Sequence, residues 1–177
     1  MKARRSTARS TPRWTSLAAF VTLALLPLHS FGADAAGGRF VSAQLGVSSV
    51  NNDIGSGVAF GVEGGLFPWE DWGAGAFLRA GNHSNDITSF FFGIEGLYKA
   101  SLLVNGLTLG ATVGSGKFTS QGLSGDSALA IGIKAAWEYH LSSQPISLGG
   151  DLSVTWCKPG DSMLTTVAPL LTAKWWF

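Results

Sequence analysis

The sequence predicts an all-β protein, an eight-stranded antiparallel up-and-down transmembrane β-barrel that follows a cleaved signal peptide. Three observations support this prediction. The N-terminus combines a basic segment, a short apolar segment and small residues. Eight later segments alternate apolar with small or polar residues, the pattern of strands that have one apolar face. Glycine interrupts almost every window in which a helix period would otherwise show.

Residues 1–35 have the composition of a secretory signal peptide. Five basic residues and no acidic residue lie within residues 1–13, and an apolar stretch follows from Trp14 to Leu28. This stretch of 15 residues is shorter than the roughly 20 that a membrane-spanning helix needs. Small residues at Ala33 and Ala35 form a cleavage site. We therefore predict removal of residues 1–35 and a single barrel domain over residues 36–177.

Loss of the signal peptide makes the chain mildly acidic. Five of the 12 basic residues and one of the 11 acidic residues leave with it, so the formal net charge changes from +1 to −3. A chain without a basic run has no electrostatic footprint for nucleic acid, so we expect no nucleic-acid partner. No spaced His, Cys and carboxylate cluster is present, and we expect no metal and no cofactor. The single Cys157 is expected to be a buried or membrane-facing free thiol.

The eight strands are located by their alternation. Each is about ten residues long, which is the length that a tilted strand needs to cross a bilayer. The predicted strands are residues 41–48, 58–66, 73–81, 90–99, 107–114, 129–140, 147–156 and 166–177.

The polar faces of these strands predict which side points inward. They consist mostly of small residues with isolated charges, which suits a narrow interior where opposite charges pair. The continuous apolar faces then contact lipid, and barrel closure satisfies every backbone polar group. An eight-stranded barrel is just wide enough for side chains to fill its lumen. A soluble β-sandwich or a lipocalin-like barrel is the alternative fold.

Six of the charged residues on the inward faces are predicted to form a lumenal charge network. They are Glu63, Arg79, Glu95, Lys134, Glu138 and Asp151. Counting from the turns predicts that Arg79 bridges Glu63, Glu95 or both. The other three charges are expected to form a second cluster on the opposite wall.

The connections between the strands are turn and loop formers. Short periplasmic turns are predicted at residues 68–71, 105–106 and 141–145, of which Asn105-Gly106 is the strongest hairpin signal. Outer loops are predicted at residues 50–56, 82–88, 116–126 and 158–162. Aromatic residues fall near both predicted membrane interfaces, as in transmembrane barrels. They are Trp72, Trp137, Tyr139, Trp175 and Phe177 on the periplasmic side, and Phe90, Phe92 and Trp156 on the outer side.

The last strand resembles the C-terminal signal of bacterial outer-membrane proteins. Phe177 is preceded at alternate positions by Trp175, Ala173 and Leu171. The layout of the chain is similar to the small eight-stranded barrels of the OmpX/Ail and OmpA membrane-domain type. This resemblance implies residence in the outer membrane of a Gram-negative cell, contact with membrane lipid and lipopolysaccharide, and a structural or surface-interaction role. It also implies that the barrel assembly machinery reads an assembly signal at Trp175 and Phe177.

Two other functions are weighed against this role. A lipid-modifying enzyme is suggested by residues 82–86, which loosely resemble the His-x-Ser-Asn motif of the lipid A deacylase family. However, neighbouring strand residues such as His83 and Ser84 point to opposite faces and do not readily share the hydrogen bond that activates a serine. A small pore or transport accessory is disfavoured because eight strands leave little lumen. We therefore expect no catalytic site.

Overall fold

The computed structural model describes residues 38–51, 54–100, 103–120, 123–142 and 144–177. Eight long strands and one two-residue strand account for most of this range. The long strands are β1 (Arg39–Val50), β2 (Gly55–Leu66), β3 (Trp72–His83), β4 (Ile87–Lys99), β5 (Leu107–Ser120), β7 (Ala128–His140), β8 (Ile146–Cys157) and β9 (Leu164–Trp176). The short strand β6 (Leu123–Ser124) pairs with the end of β5. The predicted signal peptide lies outside the described residues.

The strands form one closed antiparallel barrel. Each long strand pairs with its neighbours in the chain, β4 pairs with β5, and β1 pairs with β9 to close the cylinder. The predicted eight-stranded up-and-down topology is therefore confirmed. A single 3-10 turn, Ser84–Asp86, lies between β3 and β4, and the described residues include no helix that is long and apolar enough to span a membrane.

The two ends of the barrel differ in their connections. The turn end carries the β2–β3, β4–β5 and β7–β8 connections, which the sequence predicted as periplasmic. The loop end carries the β1–β2, β3–β4, β5–β7 and β8–β9 connections, which were predicted as outer loops. Gly106 at the turn end adopts a φ of 81°, the left-handed conformation that favours glycine.

The strands extend further at the loop end than the sequence predicted. β3 and β4 remain paired as far as His83 and Ile87, although residues 82–88 were assigned to a loop. β5 continues to Ser120, inside the predicted loop 116–126. The reason is that the backbone ladder continues through polar residues, and the three residues Ser84–Asp86 are enough to reverse the chain. Asp86 closes this turn with a φ of 55°, which a short polar side chain tolerates.

The exterior of the barrel is apolar, as the alternation predicted. Outward residues in the middle of the strands are large and exposed, for example Ile133 at 54% and Leu171 at 75%. Inward residues of the same strands are buried and mostly polar. A soluble barrel would bury its apolar faces, so this arrangement excludes the soluble alternatives and identifies the exterior as a lipid-facing surface.

Exposed aromatic residues lie near the strand ends, where the interfaces were predicted. At the turn end, the rings of Trp72 and Tyr98 lie 4.8 Å apart. Trp137 Nε1 donates a hydrogen bond to the Asn105 carbonyl oxygen at 3.1 Å. Near the loop end, Phe90 and Phe92 expose their rings on β4. Aromatic rings at these levels match the girdles of transmembrane barrels.

The seam between β1 and β9 contains a gap at Pro169. The β1–β9 register continues from Phe40 to Gly46 and resumes at Ser49, without pairs at residues 47 and 48. The β8–β9 register is continuous through Pro169, so the nitrogen of this proline faces β1. Proline has no N–H, and the ladder therefore lacks the hydrogen bond that residue 169 would donate. The gap is a local weakness in the wall that joins the first and last long strands.

Substitution of Pro169 by Val is expected to stabilise the barrel. The new amide can donate to the carbonyl of Val47, which the register places opposite, and a buried backbone hydrogen bond contributes about 1–3 kcal/mol when the alternative is an unpaired group. Urea unfolding in detergent measures the change. Leu171→Val, at a lipid-facing position where the β1 ladder is intact, is the control and should change stability by less than about 1.5 kcal/mol. A Pro169→Val protein that is no more stable than the parent would show that the gap costs nothing.

Candidate functional site

The lumen is the candidate site, because the charged and polar side chains of the described strands converge there. It has three layers along the barrel axis. Packed apolar side chains close it at the loop end and again at the turn end, and the charged residues lie between them.

The loop-end plug is built from inward apolar residues at the loop ends of the strands and from Phe77, which lies deeper. Its buried members are Val50, Phe77, Phe91, Phe118, Ala130, Cys157 and Leu164. The rings of Phe91 and Phe118 meet edge to face with centroids 5.6 Å apart, a favoured aromatic geometry. Cys157 is buried within this plug as a free thiol, which fits the expectation for it. The plug fills the space through which solute would enter from the loop end.

The turn-end plug is aromatic and carries two lysines. Phe40, Phe67 and Trp176 pack with ring centroids 5.5–6.0 Å apart. Lys174 Nζ lies 4.4 Å from the centroid of the Phe40 ring, and Lys99 Nζ lies 4.3 Å from that of Phe67. Cations over aromatic faces are attracted by the ring quadrupole, which keeps both lysines against the plug.

Between the plugs lies a central cluster of five charged residues, Glu63, Arg79, Glu95, Lys134 and Asp151, all of which are buried. Lys134 Nζ is 2.8 Å from a carboxylate oxygen of Glu63 and 2.8 Å from one of Glu95. Arg79 Nη2 is 2.7 Å from Glu63 Oε1. The two cations thus share Glu63, and each also approaches Asp151 at 3.7 Å.

Gln44 links the central cluster to β1. Its Nε2 donates to Glu63 Oε1 at 2.8 Å and to Asp151 Oδ2 at 3.3 Å, while its Oε1 accepts from Arg79 Nε at 3.3 Å. Gln44 was not among the residues predicted from the sequence to form the charge network. Its position on the inward face of β1, opposite Gly61, was the available signal.

Inward glycines make room for these long side chains. A Cβ on Gly61 would lie 2.8 Å from Gln44 Oε1, and one on Gly75 would lie 3.0 Å from Glu95 Oε1. A Cβ on Gly110 would lie 2.8 Å from Lys134 Cγ. The glycines beside the charged positions are therefore explained by the space that a filled eight-stranded lumen requires.

The charges are grouped differently from the expectation. Arg79 does pair with Glu63, but Lys134 and Asp151 join this same cluster instead of forming a second one on the opposite wall. Glu138 lies apart and pairs with Lys174, near the turn-end plug. Ser147 Oγ donates to Glu138 at 3.0 Å and accepts from Trp176 Nε1 at 2.9 Å. The lumen is so narrow that side chains from opposite walls meet, which strand-by-strand counting does not capture.

His83 lies in the lumen, although it was predicted to lie in an outer loop. It ends β3 on the inward face, is buried, and its Nε2 is 2.8 Å from Ser89 Oγ. Ser84 Oγ donates to the carbonyl of Ser56, and the hydrogen-bond partner of His83 is Ser89. The His83–Ser89 distance suits a base and a nucleophile. However, Ser89 is only 2% exposed, and the adjacent cavity of about 20 Å³ has no room for an acyl substrate.

Trp175 and Phe177 lie at the end of the seam. Trp175 faces outward, and Phe177 exchanges two backbone hydrogen bonds with Arg39 at 3.0 and 3.1 Å. These residues thus close the barrel at the turn end. Their recognition by the assembly machinery stays a prediction. Among the described residues, no group of three or more His, Cys, Asp or Glu side chains is arranged to hold a metal ion.

A closed eight-stranded barrel with a lipid-facing apolar exterior and a plugged, charged interior defines the class of small outer-membrane β-barrels. The chain has the fold of this class. No protein-family model matches the sequence, and the search of curated proteins finds no match.

Solved structures of the class share this fold. Neisserial surface protein A superposes with a TM-score of 0.62 at 13% identity, over 83% of this chain and all of that one. Ail, the attachment invasion locus protein of Yersinia pestis, gives a TM-score of 0.56 at 18% identity, over 80% of this chain and 99% of that one. The N-terminal β-barrel domain of Pseudomonas aeruginosa OprF gives 0.51 at 12% identity, over 81% of this chain and all of that one. At these identities the likeness shows the shared fold.

Proposed function

We propose that this chain is a structural or surface-interaction barrel of the Gram-negative outer membrane and is neither a pore nor an enzyme. The main observation that supports the proposal is that packed apolar side chains close the lumen at both ends. Because the interior is closed, the surfaces that can contact a partner are the lipid-facing wall and the loops.

The packing of the interior argues against a pore function. A conducting lumen needs a continuous aqueous path, whereas Phe91 and Phe118 pack in the loop-end plug and Phe40 and Trp176 pack in the turn-end plug. The charges between the plugs bind one another at 2.7–2.8 Å and are not free to coordinate a passing ion.

The inward position of the His83–Ser89 pair argues against an enzymatic function. A lipid-modifying site has to reach the lipid-facing wall, but His83 and Ser89 face inward into the lumen. A hydrolytic role for this pair would require both an entry path and a larger cavity.

The exterior favours membrane lipid and lipopolysaccharide as partners. The lipid-facing wall presents large apolar side chains to acyl chains, and aromatic residues stand at both rims. The described loop-end connections carry Asp86, Asp126 and Asp161 against Lys158, so they are acidic on balance. One structure of Ail is a complex with the heparin analogue sucrose octasulfate. Acidic loops disfavour the binding of a polyanion of that kind.

Vesicle reconstitution tests the proposal. The refolded barrel in phosphatidylcholine vesicles is expected to release no more entrapped K⁺ than empty vesicles, because both plugs are closed. The combined variant Phe91→Ala, Phe118→Ala, Phe40→Ala and Trp176→Ala removes four of the six aromatic plug residues and should increase the release. Steady single-channel conductance of the parent protein would contradict the proposal. Hydrolysis of lipid A acyl chains by the parent, abolished in Ser89→Ala, would also contradict it.

A second experiment tests lipopolysaccharide as a partner. It uses the same preparation with lipopolysaccharide added to the vesicles. Contact with the wall and rims predicts a higher unfolding temperature than in phosphatidylcholine alone, since a ligand that binds only the folded state stabilises it. Equal unfolding temperatures would remove lipopolysaccharide from the proposed partners.

A further inference from the structure

A groove lies on the outer wall of the barrel, in the turn-end half of the seam between β1 and β9. Its volume is about 480 Å³. Ala43 and Ala173 form its floor and lie directly opposite each other in the β1–β9 register. Leu45 and Leu171 form the next outward pair toward the loop end, and Leu148 on β8 lies opposite Ala173. Three exposed leucines therefore stand around a floor of two methyl groups.

The outward side chains of this groove match a hydrocarbon chain. Alanine and leucine offer no hydrogen bond to a polar ligand, and the wall that carries them faces lipid. Within a bilayer the hydrophobic effect does not distinguish one apolar surface from another, so dispersion contacts decide what fills a groove. An acyl chain of a membrane lipid is the occupant that this chemistry favours.

An exposed cation lies on the same strand face, nearer the turn end. Arg39 is exposed and belongs to the outward face of β1 together with Val41 and Ala43. It forms no ion pair with another described residue, the turn-end acids Glu70 and Asp71 included. The four residues from Arg39 to Ala43 span about 13 Å along the strand. A guanidinium binds phosphate through charge-assisted hydrogen bonds, so a lipid phosphate at Arg39 places its acyl chain over the groove.

Trp175 lies between the cation and the floor of the groove. It pairs with Val41 across the seam and is exposed on the outer wall. Tryptophan is enriched where the headgroups meet the hydrocarbon. The order along the seam is thus a cation, an interfacial ring and an apolar floor. This order matches the phosphate, the glycerol backbone and the acyl chain of a lipid whose headgroup lies at the turn end.

We propose that Arg39 and the groove over Ala43 and Ala173 form a binding site for one anionic phospholipid of the inner leaflet. The phosphate binds Arg39, and an acyl chain lies between Leu45, Leu171 and Leu148. The proposal rests on the proposed function, which gives the wall to membrane lipid, and adds a defined site with a headgroup preference. Lipopolysaccharide belongs to the outer leaflet, at the end predicted to carry the outer loops, and is not the lipid of this site.

Native mass spectrometry of the barrel in detergent micelles tests the headgroup contact, with dioleoylphosphatidylglycerol as the probe. The parent should retain one such lipid and bind it more tightly than dioleoylphosphatidylcholine. Arg39→Gln should weaken binding of phosphatidylglycerol about tenfold, the effect of losing one hydrogen bond to a charged group. Lys117→Gln, which removes an outward cation near the loop end, is the matched control and should bind like the parent. Equal binding by Arg39→Gln and the parent would overturn the proposal.

Filling the groove tests the acyl-chain contact. Ala43→Leu places a larger side chain on the floor and should weaken binding about three- to tenfold, because the chain loses its dispersion contacts. Ala173→Leu fills the same floor from β9 and should have the same effect. Ala111→Leu is the control, since Ala111 is outward and exposed on β5, on the opposite wall. A uniform effect of the three substitutions, or none, would show that this groove does not hold the chain.

Competition with lipopolysaccharide identifies the leaflet. Lipopolysaccharide should not displace the bound phosphatidylglycerol, and its displacement of that lipid would overturn the assignment. Release of K⁺ from vesicles, which tests the proposed function, does not depend on Arg39 and should be the same for Arg39→Gln and the parent. Loss of the lipid site and failure of the closed-barrel function are therefore separate results.

Discussion

Replacing Lys134 by Met is expected to lower the free energy of unfolding by about 3–5 kcal/mol, because it leaves buried carboxylates without their counter-charge. Lys134 is within 2.8 Å of Glu63 and Glu95 and within 3.7 Å of Asp151. Without it, Arg79 alone faces three acidic residues. Met keeps the length and most of the volume, so the change removes charge with little loss of packing. Urea unfolding in detergent, followed by tryptophan fluorescence, measures the effect.

Lys117→Met is the matched control, since Lys117 lies on the outward face of β5, away from the central cluster. It should change stability by less than about 0.5 kcal/mol. Adding Glu95→Gln to Lys134→Met removes one of the stranded carboxylates and should restore part of the loss. The size of the recovery gives the coupling between the two residues. A loss below about 1 kcal/mol for Lys134→Met would mean that solvent screens the cluster.

Replacing Ile133 by Arg is expected to cost about 2–4 kcal/mol in a bilayer, the typical penalty for a charge on the lipid face of a barrel near the midplane. Ile133 lies near the middle of β7, and 54% of its surface is exposed. In a water-soluble protein, an arginine at such an exposed position would be nearly neutral. Folding equilibria in phosphatidylcholine vesicles measure the difference.

Leu129→Arg is the control for the dependence of this cost on depth in the bilayer. Leu129 is on the same face of the same strand, is 69% exposed, and lies next to the loop end. The penalty for a charge falls to about 0–1 kcal/mol near the interface. Equal costs at residues 129 and 133 would contradict the assignment of this face to the bilayer.

The strands and their orientation could be predicted from the sequence because both depend on local rules. A strand alternates its side chains with a period of two, so the residues of β1 or β7 record which face is apolar without reference to other strands. Barrel closure then follows from the cost of unpaired backbone groups in lipid. For the same reason the inward positions of Glu63, Arg79 and Lys134 were predictable.

The loop-end boundaries were less predictable, and His83 shows why. Residues such as Asn82, Ser84 and Asp86 favour turns, but turn propensity does not determine where a ladder stops. β3 and β4 continue to pair because each supplies the backbone donors and acceptors of the other. His83 is therefore a buried lumenal residue.

The sequence by itself determined that this chain forms a barrel, which residues point inward, and that its interior charges must pair. The tertiary structure alone decided which charges pair: Lys134 bridges Glu63 and Glu95, and Glu138 pairs with Lys174. It also decided that plugs close both ends and that Pro169 interrupts the seam. The physical reason is that alternation is a property of one strand, whereas contacts across a lumen depend on the register and stagger of all eight strands around the barrel.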